Sequence, residues 1–255
     1  MSLDIFKLDG RVALITGGTG GLGMVMAQAL AEAGADVVVT SRNKEKAVGA
    51  AKAIAHSTGR RTLGVAVDVT VVEQVDAMVE AVIGEFGRID ILINNAGINV
   101  RKPIEEFDEA SWDLVQNTNL KAPFLCARSV AKVMKQQRYG RVINMSSMLG
   151  MIALPERGAY CSSKGGLIQL TKVLALEWAP YNITVNALCP GPFATELNQV
   201  VLNNPEANKF FTDNIALGRW GRPEELIGAV VYMASDASSF MTGTSLVVDG
   251  GWTAR

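Results

Sequence analysis

One histidine, His56, stands among 255 residues. A lone imidazole in a polar stretch leaves no histidine-based zinc site and no Ser-His-Asp triad to build. Cysteine is almost as scarce. Cys126, Cys161 and Cys189 lie far apart in sequence, with neither metal-ligand spacing nor a disulfide framework. They read as buried or half-buried thiols in a reducing compartment. No run approaches the ~20 apolar residues of a membrane span. The opening MSLDIFKLDGR balances two acids against two bases and has no continuous apolar run, unlike a secretory signal. The formal net charge of −1 gives no general pull toward nucleic acid or an anionic membrane. No basic stripe or aromatic platform offers a nucleic-acid surface. The expectation is a cytoplasmic protein that engages neither nucleic acid nor membrane.

Apolar residues, by contrast, make up 49% of the chain, enough for a sizeable core without staples. RVALIT, ADVVVTS, TLGVAVDV, IDILINN, RVINMSS, ITVNALCP and SLVVD read as strands. They are short, apolar and not alternating, the mark of a parallel sheet buried on both faces. Amphipathic segments between them predict helices, among them one ending at Gly34, one over roughly 108–137 and one over about 158–178. Repeated β-α units imply an α/β fold: a doubly wound parallel sheet, Rossmann-like, of about seven strands with helices on both faces. No linker or repeat divides residues 1–255, so a single domain is expected. The segment at about 192–220 breaks the alternation and is a candidate lid.

TGGTGGLG, residues 16–23, joins the first strand to the first helix. Glycines 17, 21 and 23 permit a tight turn and close backbone approach to an anion. The following helix would aim free N–H groups and its positive end at a pyrophosphate. The spacing is G-x-x-x-G-x-G rather than the commoner G-x-G-x-x-G.

GAYCSSKGG holds Tyr160 and Lys164, which share a face if the stretch is helical. A nearby Lys⁺ favours a phenolate and lowers a pKa that starts near ~10. Ser147 ends the fifth strand, on the rim where α/β sheets bind ligands and where the glycine turn also lies.

With these motifs in order, and with DV at 68–69, NNAG at 94–97, NTNL at 117–120 and PGPFAT at 190–195, the chain resembles the short-chain dehydrogenase/reductase family. The resemblance runs from Gly10 to Thr253. It implies hydride transfer between a nicotinamide and a secondary alcohol or ketone, with no metal. By position it implies a catalytic tetrad of Asn119, Ser147, Tyr160 and Lys164. Tyr160 would move the proton, and Lys164 would lower its pKa and hold the nicotinamide ribose. Ser147 would bond the reacting oxygen, and Asn119 would link Lys164 to a water chain. The turn residues Gly17, Thr19, Gly21, Leu22 and Gly23 would hold the pyrophosphate. Asp68 and Val69 match the adenine pocket, Asn95, Ala96 and Gly97 the cofactor cleft, and Pro190, Gly191, Phe193 and Thr195 the nicotinamide contacts.

One absence bears on the cofactor. Dinucleotide folds often carry an acid after the second strand to hold the ribose 2′-hydroxyl of NAD. Here Ser41 and Arg42 stand in that place. Ser41 removes repulsion of a 2′-phosphate, and Arg42 supplies a planar permanent cation. NADP(H) is the favoured cofactor and NAD(H) the alternative, since the turn has Gly20 where many NADP-preferring relatives carry a second base.

Arg101, beyond the fourth strand, is a candidate grip for a substrate carboxylate, against the reading of Arg101 and Lys102 as a solvated pair. AGINVRKP and the C-terminal region resemble gluconate 5-dehydrogenases and related sugar-acid or polyol members. The tail is shared with 3-oxoacyl-[acyl-carrier-protein] reductases, the alternative substrate class. Met148, Met151, Leu154 and Phe193 suggest an apolar pocket wall, and Glu156 and Arg157 stand open between polar contact and plain surface. A non-catalytic dinucleotide sensor would not need the intact Ser–Tyr–Lys set. A methyltransferase on a similar sheet would carry an acid after the second strand, which this chain lacks. The family resemblance also implies a homotetramer that covers the last strand's edge.

Overall fold

The computed structural model describes residues 2–254. Seven strands form one sheet in the order β3-β2-β1-β4-β5-β6-β7, and every pairing is parallel. They are β1 (Val12–Ile15), β2 (Asp36–Ser41), β3 (Thr62–Ala66), β4 (Ile91–Asn94), β5 (Gly140–Met145), β6 (Ile183–Pro190) and β7 (Ser245–Val248). β1, β4, β5 and β6 are buried at every residue, which is why their sequences run apolar without alternation. Successive residues still point to opposite faces. Ala13 and Ile15 join a core with Met26 and Leu30 of α1 (Gly21–Glu32) and Val230 and Met233 of α9 (Ile227–Ala234). Val12 and Leu14 join the opposite core, with Val75 and Met78 of α3 (Val72–Phe86) and Leu125 and Val130 of α5 (Ala122–Gln137).

The chain winds outward from β1 through β2 to β3, then crosses back to place β4 on the other side of β1. Ile15 and Ile93 are register partners at this reversal. The turn after β1 and the loop after β4 therefore diverge from one point, and a crevice opens between them beyond the strand ends. Helix α2 (Lys44–Thr58) follows β2. Its N-cap Asn43 accepts from Lys46 N at 2.7 Å, and it stops at Gly59, whose φ of 69° suits a residue without Cβ.

The helix expected over 108–137 is not continuous. It consists of α4 (Glu109–Gln116), one π turn over Asn117–Lys121, and α5. Pro123 supplies the reason. It has no N–H to give the carbonyl of Asn119 four residues earlier, and its ring crowds that carbonyl, so the turn widens. The helix read over 158–178 is α6, Gly158–Trp178. The late helix begins as a 3-10 turn at Pro223–Leu226, where the Glu225 carboxylate accepts from Arg222 N at 2.8 Å and takes both Arg219 nitrogens.

Within 192–220 lie α7 (Gln199–Leu202) and α8 (Pro205–Asn214). Aromatic packing ties α8 to the end of the chain. Phe211 stacks on Trp220 at 5.0 Å between ring centroids and tilts against Trp252 at 5.3 Å. The indole N–H of Trp220 donates to Asn208 Oδ1 at 2.7 Å.

Candidate active site

A cavity of about 580 Å³ fills the crevice. Gly17, Gly20, Gly21, Leu22 and Gly23 line one side, Asn95, Ala96, Gly97 and Ile98 another. Ser147, Tyr160 and Lys164 close it, with Pro190, Gly191, Phe193 and Thr195 opposite. A second hollow of about 290 Å³ continues past Gly17 to Ser41, Arg42, Asp68, Val69 and Thr70. The two hollows share Gly17, Ala96, Gly97 and Ile98, so they form one elongated groove.

The glycine turn fits a pyrophosphate on geometric grounds. Gly17 has φ of 63°, and a Cβ on Gly23 would lie 2.3 Å from the Gly17 carbonyl oxygen and 2.5 Å from Asn95 Nδ2. Gly20 and Gly21 face open space, where a Cβ would meet nothing within 4 Å. Asn95 locks the turn by donating from Nδ2 to the carbonyls of Thr16 and Gly17, both at 3.0 Å. Thr16 returns the bond, its hydroxyl accepting from the amides of Asn95 and Ala96. The groove thus offers a nucleotide-length slot with bare backbone at its middle, which suits a dinucleotide. Thr19 does not line either hollow; it is half-buried on the turn.

Tyr160 and Lys164 sit one turn apart on α6 with Lys164 Nζ 5.6 Å from the Tyr160 ring centroid. Their electrostatics differ from the simple lysine-lowers-tyrosine expectation. Burial pushes the Tyr160 phenol above its usual pKa, and a hydrogen bond from Ser147 pulls part of the way back. Burial also brings Lys164 down to about 8, while its ammonium donates to the Met145 carbonyl at 2.6 Å. In the protein alone, burial is the largest influence on both groups. Ser147 is held at the end of β5 by capping the next turn, where its oxygen accepts from Leu149 N at 3.1 Å.

Asn119 is wholly buried and does not line the groove. Its side chain clamps Ile98 through both backbone groups at 2.9 Å and donates to Ser163 Oγ at 3.1 Å. It fixes the loop after β4 against α6, while the π turn leaves its carbonyl without the α-helical donor. Beneath lies a chain of bonds in the core, from Asn94 to Asn144 at 2.8 Å and from Asn144 to Thr171 at 2.9 Å.

The substrate end is mixed in character. Met148, Leu154 and Tyr160 pack with Ile215, Phe211 and Trp252. Phe193 is buried against the sheet core and also lines the cavity, whereas Met151 is 53% exposed and outside the wall. Arg101 is half-buried and carries no ion pair or hydrogen bond among the described residues. Lys102 behaves otherwise, with Nζ 2.6 Å from Asp108 Oδ2. Sequence reading missed Thr16, Asn144, Ser146 and the aromatic contribution of Phe211 and Trp252. Thr16 stands at the start of the glycine motif without a role of its own being read there, and the others act through packing and hydrogen bonds that no spacing signals.

The family model described as enoyl-(acyl carrier protein) reductase matches residues 17–253. The chain is 42% identical to the 2-dehydro-3-deoxy-D-gluconate 5-dehydrogenase of Dickeya dadantii over 260 residues, covering 100% of both. The chain belongs to the short-chain dehydrogenase/reductase family. It is an oxidoreductase acting on CH–OH groups, the class to which its full-length dehydrogenase relatives belong. Gluconate 5-dehydrogenase of Gluconobacter oxydans is 39% identical over 250 residues, covering 98% of this chain and 97% of the relative. Among solved structures, a gluconate 5-dehydrogenase from Burkholderia cenocepacia in complex with NADP and tartrate superposes with a TM-score of 0.97 at 39% identity, over 100% of each chain. The sheet, its order and its flanking helices are those of this short-chain dehydrogenase/reductase fold.

Proposed function

We propose that this protein is an NADP(H)-dependent dehydrogenase that interconverts a secondary alcohol and a ketone on a sugar acid. The observation that supports this reading is Arg101, which has no ion pair among the described residues and stands three residues beyond Ile98, the last cavity-lining residue of the loop after β4, without lining the cavity itself. An acyl thioester held by pantetheine brings no carboxylate to that position. The names of the relatives from Dickeya and Gluconobacter both describe sugar-acid substrates.

The bound dinucleotide supplies or accepts the hydride. This chain's residues do the rest. The glycine turn and Asn95 hold the pyrophosphate end, Asp68 and Val69 the adenine side, and Arg42 the 2′-phosphate. Asn119 positions Ile98 and α6. Ser147 hydrogen-bonds the reacting oxygen, and Tyr160 gives it the proton during reduction or takes it during oxidation. Lys164 keeps its ammonium beside Tyr160 and within reach of a ribose hydroxyl. Thr195 and Phe193 bound the nicotinamide end. The segment 192–220 acts as a lid over a single domain, an assignment supported by the aromatic group that joins α8 to Trp252.

The test is NADPH consumption with 5-ketogluconate and an acetoacetyl thioester side by side. Turnover of the keto acid and not the thioester is expected. The reverse would move the enzyme to the acyl-reductase class.

In this reading the enzyme works in the cytoplasm as a homotetramer. Among the described residues, no helix is long and apolar enough to cross a membrane. Three free cysteines, two of them buried, suit a reducing compartment. Val173 and Leu176 on α6 are 50% and 80% exposed, apolar area that a second copy would cover. Light scattering should give the mass of four chains; a monomer mass would refute the assembly.

A further inference from the structure

We infer that Arg157 is the second arm of a carboxylate site, closing with Arg101 on the acidic end of the substrate. The inference rests on the sugar-acid reading above and adds a specificity residue to it. The sequence alone left Arg157 undecided between polar contact and surface.

Arg157 is poorly compensated for its burial. Its side chain is 12% exposed, yet its nearest carboxylate oxygen is Glu156 Oε2 at 3.7 Å, on a side chain that is itself 57% exposed. Its one hydrogen bond runs to the carbonyl of Glu156 at 3.3 Å. Four other arginines are compensated more closely. Arg60, Arg88, Arg141 and Arg219 each have a carboxylate oxygen at 2.7–3.0 Å. Removing a cation from water without close anionic partners is unfavourable, and such a group is completed by a ligand that brings the charge.

Three further features point the same way. Arg101 lies close enough for its charge to repel that of Arg157, which adds to burial in lowering the Arg157 pKa. The loops that carry them are joined, with Lys102 N donating to the Glu156 carbonyl at 3.3 Å, and the Ile104 side chain rests over Gly158. Arg157 also stands at the N-terminal end of α6, a helix of 21 residues with no acidic residue in its first turn. A cation there opposes the helix dipole, whereas an anion would be favoured by it and by both guanidinium groups.

The spacing suits the chemistry. Arg157 precedes Tyr160 by three residues, roughly 5 Å of helix rise. In a six-carbon sugar acid, the carboxylate and the carbon at position 5 are four bonds apart, a comparable reach. A carboxylate held by Arg101 and Arg157 would therefore place a distant carbinol, rather than the neighbouring one, at the Tyr160 hydroxyl.

The experiment compares 5-ketogluconate with L-sorbose, the same skeleton with a hydroxymethyl group in place of the carboxylate. Steady-state kinetics with NADPH are run on the wild type, Arg157→Met and Arg157→Lys. The Met variant keeps an apolar stem and loses the charge-assisted bond. Its kcat/KM ratio for keto acid over sorbose is expected to fall about 10- to 100-fold, chiefly through KM, with Lys between Met and wild type. Melting temperature without substrate should hold or rise in the Met variant, because a desolvated cation is gone. An unchanged ratio, or equal loss on both substrates with a lower melting temperature, would make Arg157 a structural residue and overturn the inference alone. Should Arg157→Met fail to fold, the Lys variant and the wild type still decide. A bidentate grip predicts a weaker ratio in Lys and a KM for keto acid that climbs with salt more steeply than that for sorbose. If the wild type shows no preference for the keto acid at all, the sugar-acid reading itself fails, and the inference falls with it.

Discussion

Tyr160→Phe should lower ketone reduction by roughly 10²–10⁴-fold while NADPH still binds. The ring packs with Met148, Leu154, Ile215 and Trp252, and phenylalanine preserves that contact. What disappears is the phenolic hydroxyl that meets Ser147 at the cavity. Because burial raises the Tyr160 pKa above its usual value, the phenol is protonated throughout the neutral range. Wild-type reduction should therefore change little with pH between about 6 and 7.5, below the Lys164 pKa of about 8. Oxidation needs the phenolate and should rise with pH across the same interval. Lys164 works against that rise in part, since its pKa of about 8 removes the ammonium that favours phenolate. Stopped-flow kinetics and quenching of protein fluorescence by NADPH separate the chemical step from binding. Full turnover in the Phe variant would remove Tyr160 from the reaction.

The parts of the site legible in sequence were those whose chemistry demands a residue type at a fixed place. The glycine turn reads out because a Cβ on Gly23 cannot coexist with the Gly17 carbonyl. Tyr160 and Lys164 read out because helical spacing puts them on one face. The strands were legible because a parallel sheet buried on both faces needs continuous apolar runs. Two things escaped. The π turn at Asn117–Lys121 was hidden in a long helical pattern, although Pro123 carried the local signal. The balance of charges was hidden as well, since spacing says that Lys164 is near Tyr160 but not how dry both are. Arg157 belongs to this second group. Only the packing of two loops shows that a polar-looking arginine is nearly enclosed and faces another cation.

The combined substitution Ser41→Asp with Arg42→Ala should reverse the cofactor preference. Arg42 is exposed at the mouth of the second hollow, free to reach a 2′-phosphate there. Its charge also reaches Asp68, whose carboxyl is held below the usual range first by the Thr70 hydroxyl at 2.6 Å and the Thr70 amide, and last by Arg42. Removing Arg42 deletes a charge-assisted bond worth about 1.5–3 kcal/mol, or roughly 10- to 100-fold in affinity for NADPH. An aspartate at position 41 adds repulsion against the phosphate and an acceptor for the 2′-hydroxyl of NADH, worth about another tenfold. The ratio of kcat/KM for NADPH over NADH should then fall roughly 10²–10³-fold. The reacting atoms are untouched, so kcat at saturating cofactor should stay near the wild-type value. Asp68 loses a cation neighbour and gains an acid on β2, but its bonds to Thr70 remain, so the adenine side keeps its shape. A ratio that does not move would mean that neither the Arg42 cation nor the missing acid at position 41 sets the choice of dinucleotide, and would overturn the assignment of the 2′-phosphate to Arg42.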